Sequence, residues 1–187
     1  MEQPAQRSPA REGLDLVQAF VNSADLEEGT DQLGDAISAE RWLRDHWSGP
    51  LPSFHDTDRA RLVETREALR DVLSMHSGHD NDARASARLR DLLAGVVLRP
   101  VVDADGARLE PAGDGVDGFL GAVSARIAEA TVAGTWERLK VCRDDVCRWA
   151  FYDHSKNARG TWCSMRVCGN RAKARAYRER QKVTATA

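Results

Sequence analysis

The chain is 187 residues long, 42% hydrophobic and 30% charged, a composition that belongs to ordinary globular proteins and not to disordered, collagenous or disulfide-dense ones. Its uncharged apolar runs fall far short of the roughly 20 residues needed to cross a bilayer, so no membrane role is expected. The net charge of −2 hides an asymmetry: residues 1–139 hold 15 Lys and Arg against 25 Asp and Glu, whereas residues 140–187 hold 12 against 4. A basic end on an acidic body points to a polyanionic partner. Docking of that end on the body is the alternative, and the two combine as an autoinhibited state.

In chain order, residues 1–12 are polar and aperiodic and predict a disordered leader. Residues 13–138 read as a helical body. Leu14, Val17 and Val21 recur at helical spacing, with Leu16 and Phe20 alongside, and predict a short buried helix. Ser38 is expected to cap a helix running through Trp47, ended by Ser48-Gly49-Pro50. Thr57 or Asp58 opens the clearest helix, in which Leu62, Leu69, Val72 and Leu73 face inward and the Arg and Glu residues outward. A further helix from about Asp82 carries Leu89, Leu92, Leu93 and Val96. Val96 to Leu98, Val101-Val102 and Arg108-Leu109 flank Asp103 to Gly106 and predict a β-hairpin with an Asp-Gly turn. Val116, Phe119, Leu120, Val123 and Ile127 mark a last long helix reaching about Gly134. The expected fold class is mainly α (α+β).

Residues 139–187 read as a second unit. They contain every cysteine of the chain, Cys142, Cys147, Cys163 and Cys168, in the spacing C-x4-C-x15-C-x4-C. Two equal pairs with a connector of this length can close a tetrahedral site around one Zn2+, and a segment this short buries too little apolar surface to fold without such help. Two disulfides would need an oxidising compartment, and the first residues lack the basic and apolar regions of a secretory signal. A reducing, cytoplasmic setting and a structural zinc are therefore expected. Nothing flexible separates Thr135 from Cys142, so the two units should be rigidly joined. Alternation of Trp149, Phe151 and Asp153 predicts a strand, and Ser155 to Gly160 a turn back to Trp162. Knuckle, hairpin, knuckle and helix in that order resemble a treble clef. Phe151 and Trp162 suit a packing core, whereas Trp149 and Tyr152 would serve as exposed stacking platforms if single-stranded nucleic acid were the partner.

The final helix, from about Asn170 to Lys182, is strongly basic. Arg171, Arg175, Arg178 and Lys182 fall at i, i+4, i+7 and i+11, so they share a face, with Lys173 on the same short helix. Like charges so placed repel unless an anion lies against them, which duplex DNA would supply. Arg171 and Asn170 can read base edges. The competing roles are structural: Asn170 as a helix cap or a hydrogen-bond partner beside the metal, Arg171 as a donor to cysteine sulfurs.

Cys163-Ser-Met-Arg-Val-Cys168-Gly169-Asn170-Arg171-Ala-Lys173, preceded by Arg148-Trp149-Ala-Phe151-Tyr152-Asp153-His154-Ser155-Lys156-Asn157, resembles the CGNR zinc finger. That finger is the C-terminal module of bacterial proteins described as stress-induced transcription regulators, whose N-terminal part is the ABATE domain. Gly13-Leu14-Asp15-Leu16-Val17, Asn22 and Trp42-Leu43 resemble the opening of that domain. The resemblance implies a DNA-binding regulator.

Catalysis finds little support. Asp153-His154 sits where treble-clef nucleases carry a general base, but no further ligands for a catalytic cation are evident, and a closed four-thiolate site leaves zinc no open position for water. His76-x-x-His79-Asp80 has ligand spacing but falls at a helix end in a polar loop. The sequence thus predicts no enzyme but a zinc-stabilised DNA-binding regulator, with RNA or a protein as the alternative partner. Its acidic domain would take a small-molecule effector, a protein partner or a second copy.

Overall fold

The computed structural model describes Ala10, residues 13–78 and residues 83–185. Among the described residues, five body helices precede the metal-binding end: α1 (Leu14–Val21), α2 (Ala36–His46), α3 (Asp56–Met75), α4 (Ala83–Leu92) and α5 (Gly115–Val132). Three antiparallel ribbons interrupt them: β1 (Ala24–Asp25) with β2 (Thr30–Asp31), β3 (Leu98–Asp103) with β4 (Gly106–Pro111), and β5 (Leu139–Val141) with β6 (Ala150–Tyr152). Helix α6 (Asn170–Ala185) is the last described element. The fold is mainly α, with small hairpins and a four-cysteine cluster at the C-terminal end. No described helix is long and apolar enough to cross a membrane.

Several local expectations shift. Asp35, not Ser38, caps α2: its carboxylate accepts Ser38 N–H at 2.9 Å and the Ser38 hydroxyl at 2.8 Å, and the helix stops at His46, one residue short of Trp47. Helix α3 begins at Asp56, while Asp58 acts from its third position by accepting His55 N–H at 2.8 Å. In the β3–β4 hairpin Asp103 pairs with Gly106, so the turn is centred on Ala104 and Asp105. Gly106 opens the return strand at φ +129°, where a side chain would be strained. The body carries a second small ribbon, β1–β2, that apolar alternation could not announce in strands of two residues. The expected leader lies outside the described residues except for Ala10, which is buried and donates to Gln18 Oε1 at 2.7 Å.

The core forms where α1, α2, α3 and α5 meet. Phe20, Trp42 and Phe119 pack with ring centroids 5.1 to 5.9 Å apart, and Leu14, Val17, Leu43, Leu62, Leu69, Leu73 and Leu120 surround them. Each such side chain contributes about 1.5–3 kcal/mol by leaving water. Leu139, Val141, Ala150 and Tyr152 of the last ribbon belong to this same core.

Two arginines of α3 contradict the expected outward-facing polar side. Arg66 forks onto both oxygens of Asp31 at 2.6 and 2.8 Å. Arg70, fully buried, donates to the carbonyls of Val21 at 2.6 Å and Arg148 at 2.9 Å and pairs with Glu67. A guanidinium with five donors can satisfy the carbonyls left over where α1 ends, which is why these charges are tolerated inside.

Candidate metal centre

Ribbon β5–β6 delivers the first cysteine pair. Cys142 follows β5 and extends the ladder by donating its N–H to Trp149 O at 2.9 Å. Between the strands, Asp144 O accepts from Cys147 N at 2.8 Å and Arg148 N at 2.9 Å, which folds residues 142–148 into a tight knuckle. Arg148 is left-handed at φ +43° and is fixed from both sides, its carbonyl by Arg70 and its guanidinium by Asp71 at 2.7 Å. The second pair brackets a wide helical turn, with Cys163 just ahead of it and Cys168 within Met165–Gly169; Ser164 Oγ caps its start by accepting from Val167 N at 3.3 Å, and the turn runs directly into α6.

The four buried sulfurs lie within 4.8 Å of one another. Cys147 and Cys163 are 3.6 Å apart and Cys163 and Cys168 3.7 Å. A tetrahedron with 2.3 Å zinc–sulfur bonds has edges of about 3.8 Å, so the arrangement fits zinc, whereas a disulfide would need its sulfurs about 2.0 Å apart. Hydrogen bonds from Cys147 and Cys163 pull the Cys142 thiol down to about 4, while Cys142 pushes the thiols of Cys147 and Cys163 up. One thiolate is thus readily held and further ones resist forming beside it, the obstacle that a bound dication removes.

Around the sulfurs lies an ionic clamp. Arg171 Nη2 reaches Cys168 Sγ at 3.3 Å and Glu27 Oε2 at 3.0 Å, while its Nη1 meets Glu27 Oε1 at 2.7 Å. Asp144, wholly buried, pairs with Arg171 at 2.9 Å and Arg175 at 3.0 Å. These contacts raise the affinity of Arg171 for its proton, Glu27 contributing most and Cys168 next. Two of the cations expected on one binding face therefore bind carboxylates of this chain, and Arg171 takes the structural role next to sulfur. Asn170 closes the Met165–Gly169 turn and opens α6, and its Nδ2 donates to Arg166 O at 3.0 Å. Lys173, Arg178 and Lys182 lie on the exposed part of α6.

The aromatic expectations divide. Trp149, Phe151 and Tyr152 are all buried and Trp162 is partly so, which removes Trp149 and Tyr152 as stacking platforms. The strand turns back onto β5 and not onto Trp162, because the ladder forms across the first knuckle. Asp153 is held as a carboxylate within the fold: burial pushes its pKa up, but hydrogen bonds from Ser155, Lys140 and Gly160 overcome this and leave it at about 2. His154 is exposed beside the Tyr152 ring. His76 is half-buried against the Leu139 carbonyl and the Trp136 ring, and its suggested partners His79 and Asp80 lie outside the described residues.

The site's framework was partly beyond the reach of sequence. Gln18, Asn22, His76 and Ser77 bond the outer edges of β5 and β6. Lys140 and Asp153 form an ion pair, each 4% exposed. Only the position of Asn22 near the opening of the body gave any signal.

A closed four-thiolate centre set into a helical body defines a zinc-finger protein whose N-terminal domain is part of the same packed unit. Residues 138–181 match the CGNR zinc finger family. Residues 14–137 match the ABATE family, described as "Putative stress-induced transcription regulator", and the chain belongs to that family. The four cysteines hold one structural zinc ion. Neither description is that of an enzyme family. Comparison with curated proteins returns no match.

Proposed function

We propose that the protein is a DNA-binding transcription regulator in which the zinc centre aims α6 at nucleic acid and the acidic N-terminal domain senses an effector or contacts another protein. The observation that supports this most is the division of labour along α6. Arg171 and Arg175, at its root, hold the helix to Asp144 and Glu27, while Lys173 and Arg178 of the same helix are exposed. A rigidly based helix that carries cations outward suits a phosphate backbone or the major groove of a duplex. Regulation by a member of the ABATE family agrees with the description that family bears.

The test is affinity of the zinc-loaded chain for duplex DNA as salt is raised, in the wild type and in a Lys173→Ala/Arg178→Ala double variant. A regulator retains sequence preference as the electrostatic part fades, and the variant binds more weakly with zinc content unchanged. Equal, salt-quenched binding to every polyanion, or equal affinity of the variant, would remove this reading; stronger binding to RNA than to DNA would move it to the other nucleic acid.

A further inference from the structure

Two sets stand out among the cations of the metal-binding end. Arg138, Lys140, Arg148, Arg171 and Arg175 are committed to carbonyls and carboxylates of the fold. Arg143, Lys156, Arg159, Arg166, Lys173 and Arg178 are exposed and, among the described residues, make no ion pair. Two of the second set, Lys156 and Arg159, stand on the loop that joins β6 to Cys163.

That loop is held far more firmly than a connection requires. Asp153 Oδ1 accepts Ser155 N–H at 3.0 Å and Oδ2 accepts Gly160 N–H at 2.6 Å, so one buried carboxylate ties both ends together. Lys140, buried beneath it, donates to Asp153 Oδ2 at 2.9 Å, Ala158 O at 2.6 Å and Gly160 O at 3.2 Å, which satisfies all three of its protons. Arg138 Nη1 adds bonds to Asp153 O at 3.0 Å and Ser155 O at 2.9 Å. Ala158 is held left-handed at φ +48°. At Gly160 a Cβ would come within 2.9 to 3.0 Å of the Asp153 carboxylate, so only glycine lets the backbone approach this closely. Taking an ammonium and a carboxylate out of water is costly, and the result of that cost is one fixed geometry for a loop whose side chains at 154, 155, 156, 157 and 159 all face solvent.

The loop also adjoins the other cations. Thr161 O accepts Arg143 N–H at 2.9 Å, and the next residue, Asp144, holds the root of α6 through Arg171 and Arg175. Loop, first knuckle and basic helix are thus linked in succession by these contacts.

We propose that the 154–159 loop is a second nucleic-acid contact, in which Lys156 and Arg159 bind phosphates of the same duplex that α6 engages. A loop ordered beforehand loses little conformational freedom when an anion arrives, which is what a phosphate clamp needs. This rests on the nucleic-acid reading above, and the test keeps the two apart.

The full zinc-loaded chain is titrated with duplex DNA, and in a parallel arm with duplex RNA, between about 50 and 200 mM salt. The Lys156→Ala/Arg159→Ala variant is compared with the charge-preserving Lys156→Arg/Arg159→Lys and with Lys173→Ala/Arg178→Ala. Two lost phosphate contacts reduce the slope of log affinity against log salt by about 1.8 on DNA, so the affinity ratio between wild type and variant shrinks roughly 10-fold across that range. The charge-preserving variant keeps most of the slope. The same loss on RNA alone would keep the phosphate contact and name RNA as the polymer. A loop variant with native zinc content and melting temperature that keeps the full slope, while the α6 variant loses it, overturns the loop proposal alone. A wild type without salt-dependent binding to either polymer overturns the parent reading and the loop with it.

Discussion

Asn22 completes the edge of β6 with a single side chain: its Oδ1 accepts from Ala150 N at 2.8 Å and its Nδ2 donates to Ala150 O at 2.9 Å. An amide presents one acceptor and one donor in a plane, as a neighbouring strand would. On the opposite edge, His76 bonds Leu139 O at 2.8 Å and the Ser77 hydroxyl bonds Val141 O. The ribbon that carries the first cysteine pair is thereby paired along both edges by the helical body.

Asn22→Ala should orphan the buried Ala150 N–H while Gln18 still serves the Ala150 carbonyl at 3.1 Å. The expected cost is about 1–3 kcal/mol. For a chain of this size each kcal/mol lowers the melting temperature by roughly 2–4 °C, and thermal denaturation followed by circular dichroism reads it. An unchanged melting temperature would mean that the edge is not sealed by this residue.

Metal removal should be felt well beyond the finger. Because Leu139, Val141, Ala150 and Tyr152 lie in the body core, chelation or Cys163→Ser should lower the stability of the whole chain in one transition. Calorimetry with and without chelator, alongside metal analysis expecting one zinc per chain, decides it. A body transition that stays at its original temperature after zinc loss would show two independent units.

Lys140→Met leaves the Asp153 carboxylate buried and without its ammonium partner, at a cost of about 3–5 kcal/mol. Denaturant unfolding at neutral pH measures it. Lowering the pH toward 3 should narrow the gap between variant and wild type, because Asp153, held at about 2 in the folded chain, contributes stability above the ordinary carboxylate range that is lost as pH falls through it. A gap that is constant with pH would place the damage elsewhere.

Burial pushes the His76 imidazole below its usual value of 6.5, against a smaller opposing effect of its bond to Leu139 O. The unfolded chain then takes up the proton first, so stability is full above about pH 6.5 and declines as pH falls below it. His76→Gln should be less stable at pH 7.5 or so and show a flatter decline toward about pH 5.5 in thermal melts. A parallel decline in both proteins would assign the pH dependence to other groups.

Asp144→Asn should loosen α6 at its root, since this fully buried carboxylate holds Arg171 and Arg175 together. Hydrogen exchange of residues 170–178 should quicken while that of α1 and α5 is unaltered. Equal protection in the variant would leave Glu27 as the sufficient anchor.

The metal set was legible from spacing alone, because four cysteines in two equal pairs have few other uses in a reducing setting. The long helices α3 and α5 announced themselves by apolar recurrence, and the basic character of α6 by composition. Helix starts were less legible, since both Asp35 and Ser38 carry a side-chain oxygen able to cap α2, and both Thr57 and Asp58 one able to cap α3, until the backbone fixes which oxygen faces which N–H.

Charge and spacing along one segment determined that this chain holds zinc and ends in a basic helix. Only the fold decided which arginines are struts and which are exposed, because Glu27 meets Arg171 across 144 residues of sequence and Asp71 meets Arg148 across 77. A periodic pattern reports the face a residue occupies on its own helix; it carries no information about the carboxylate that another part of the chain brings against it. The ribbon's side-chain edges followed the same rule, since Asn22 and Ala150 are 128 residues apart and neither is marked by its neighbours.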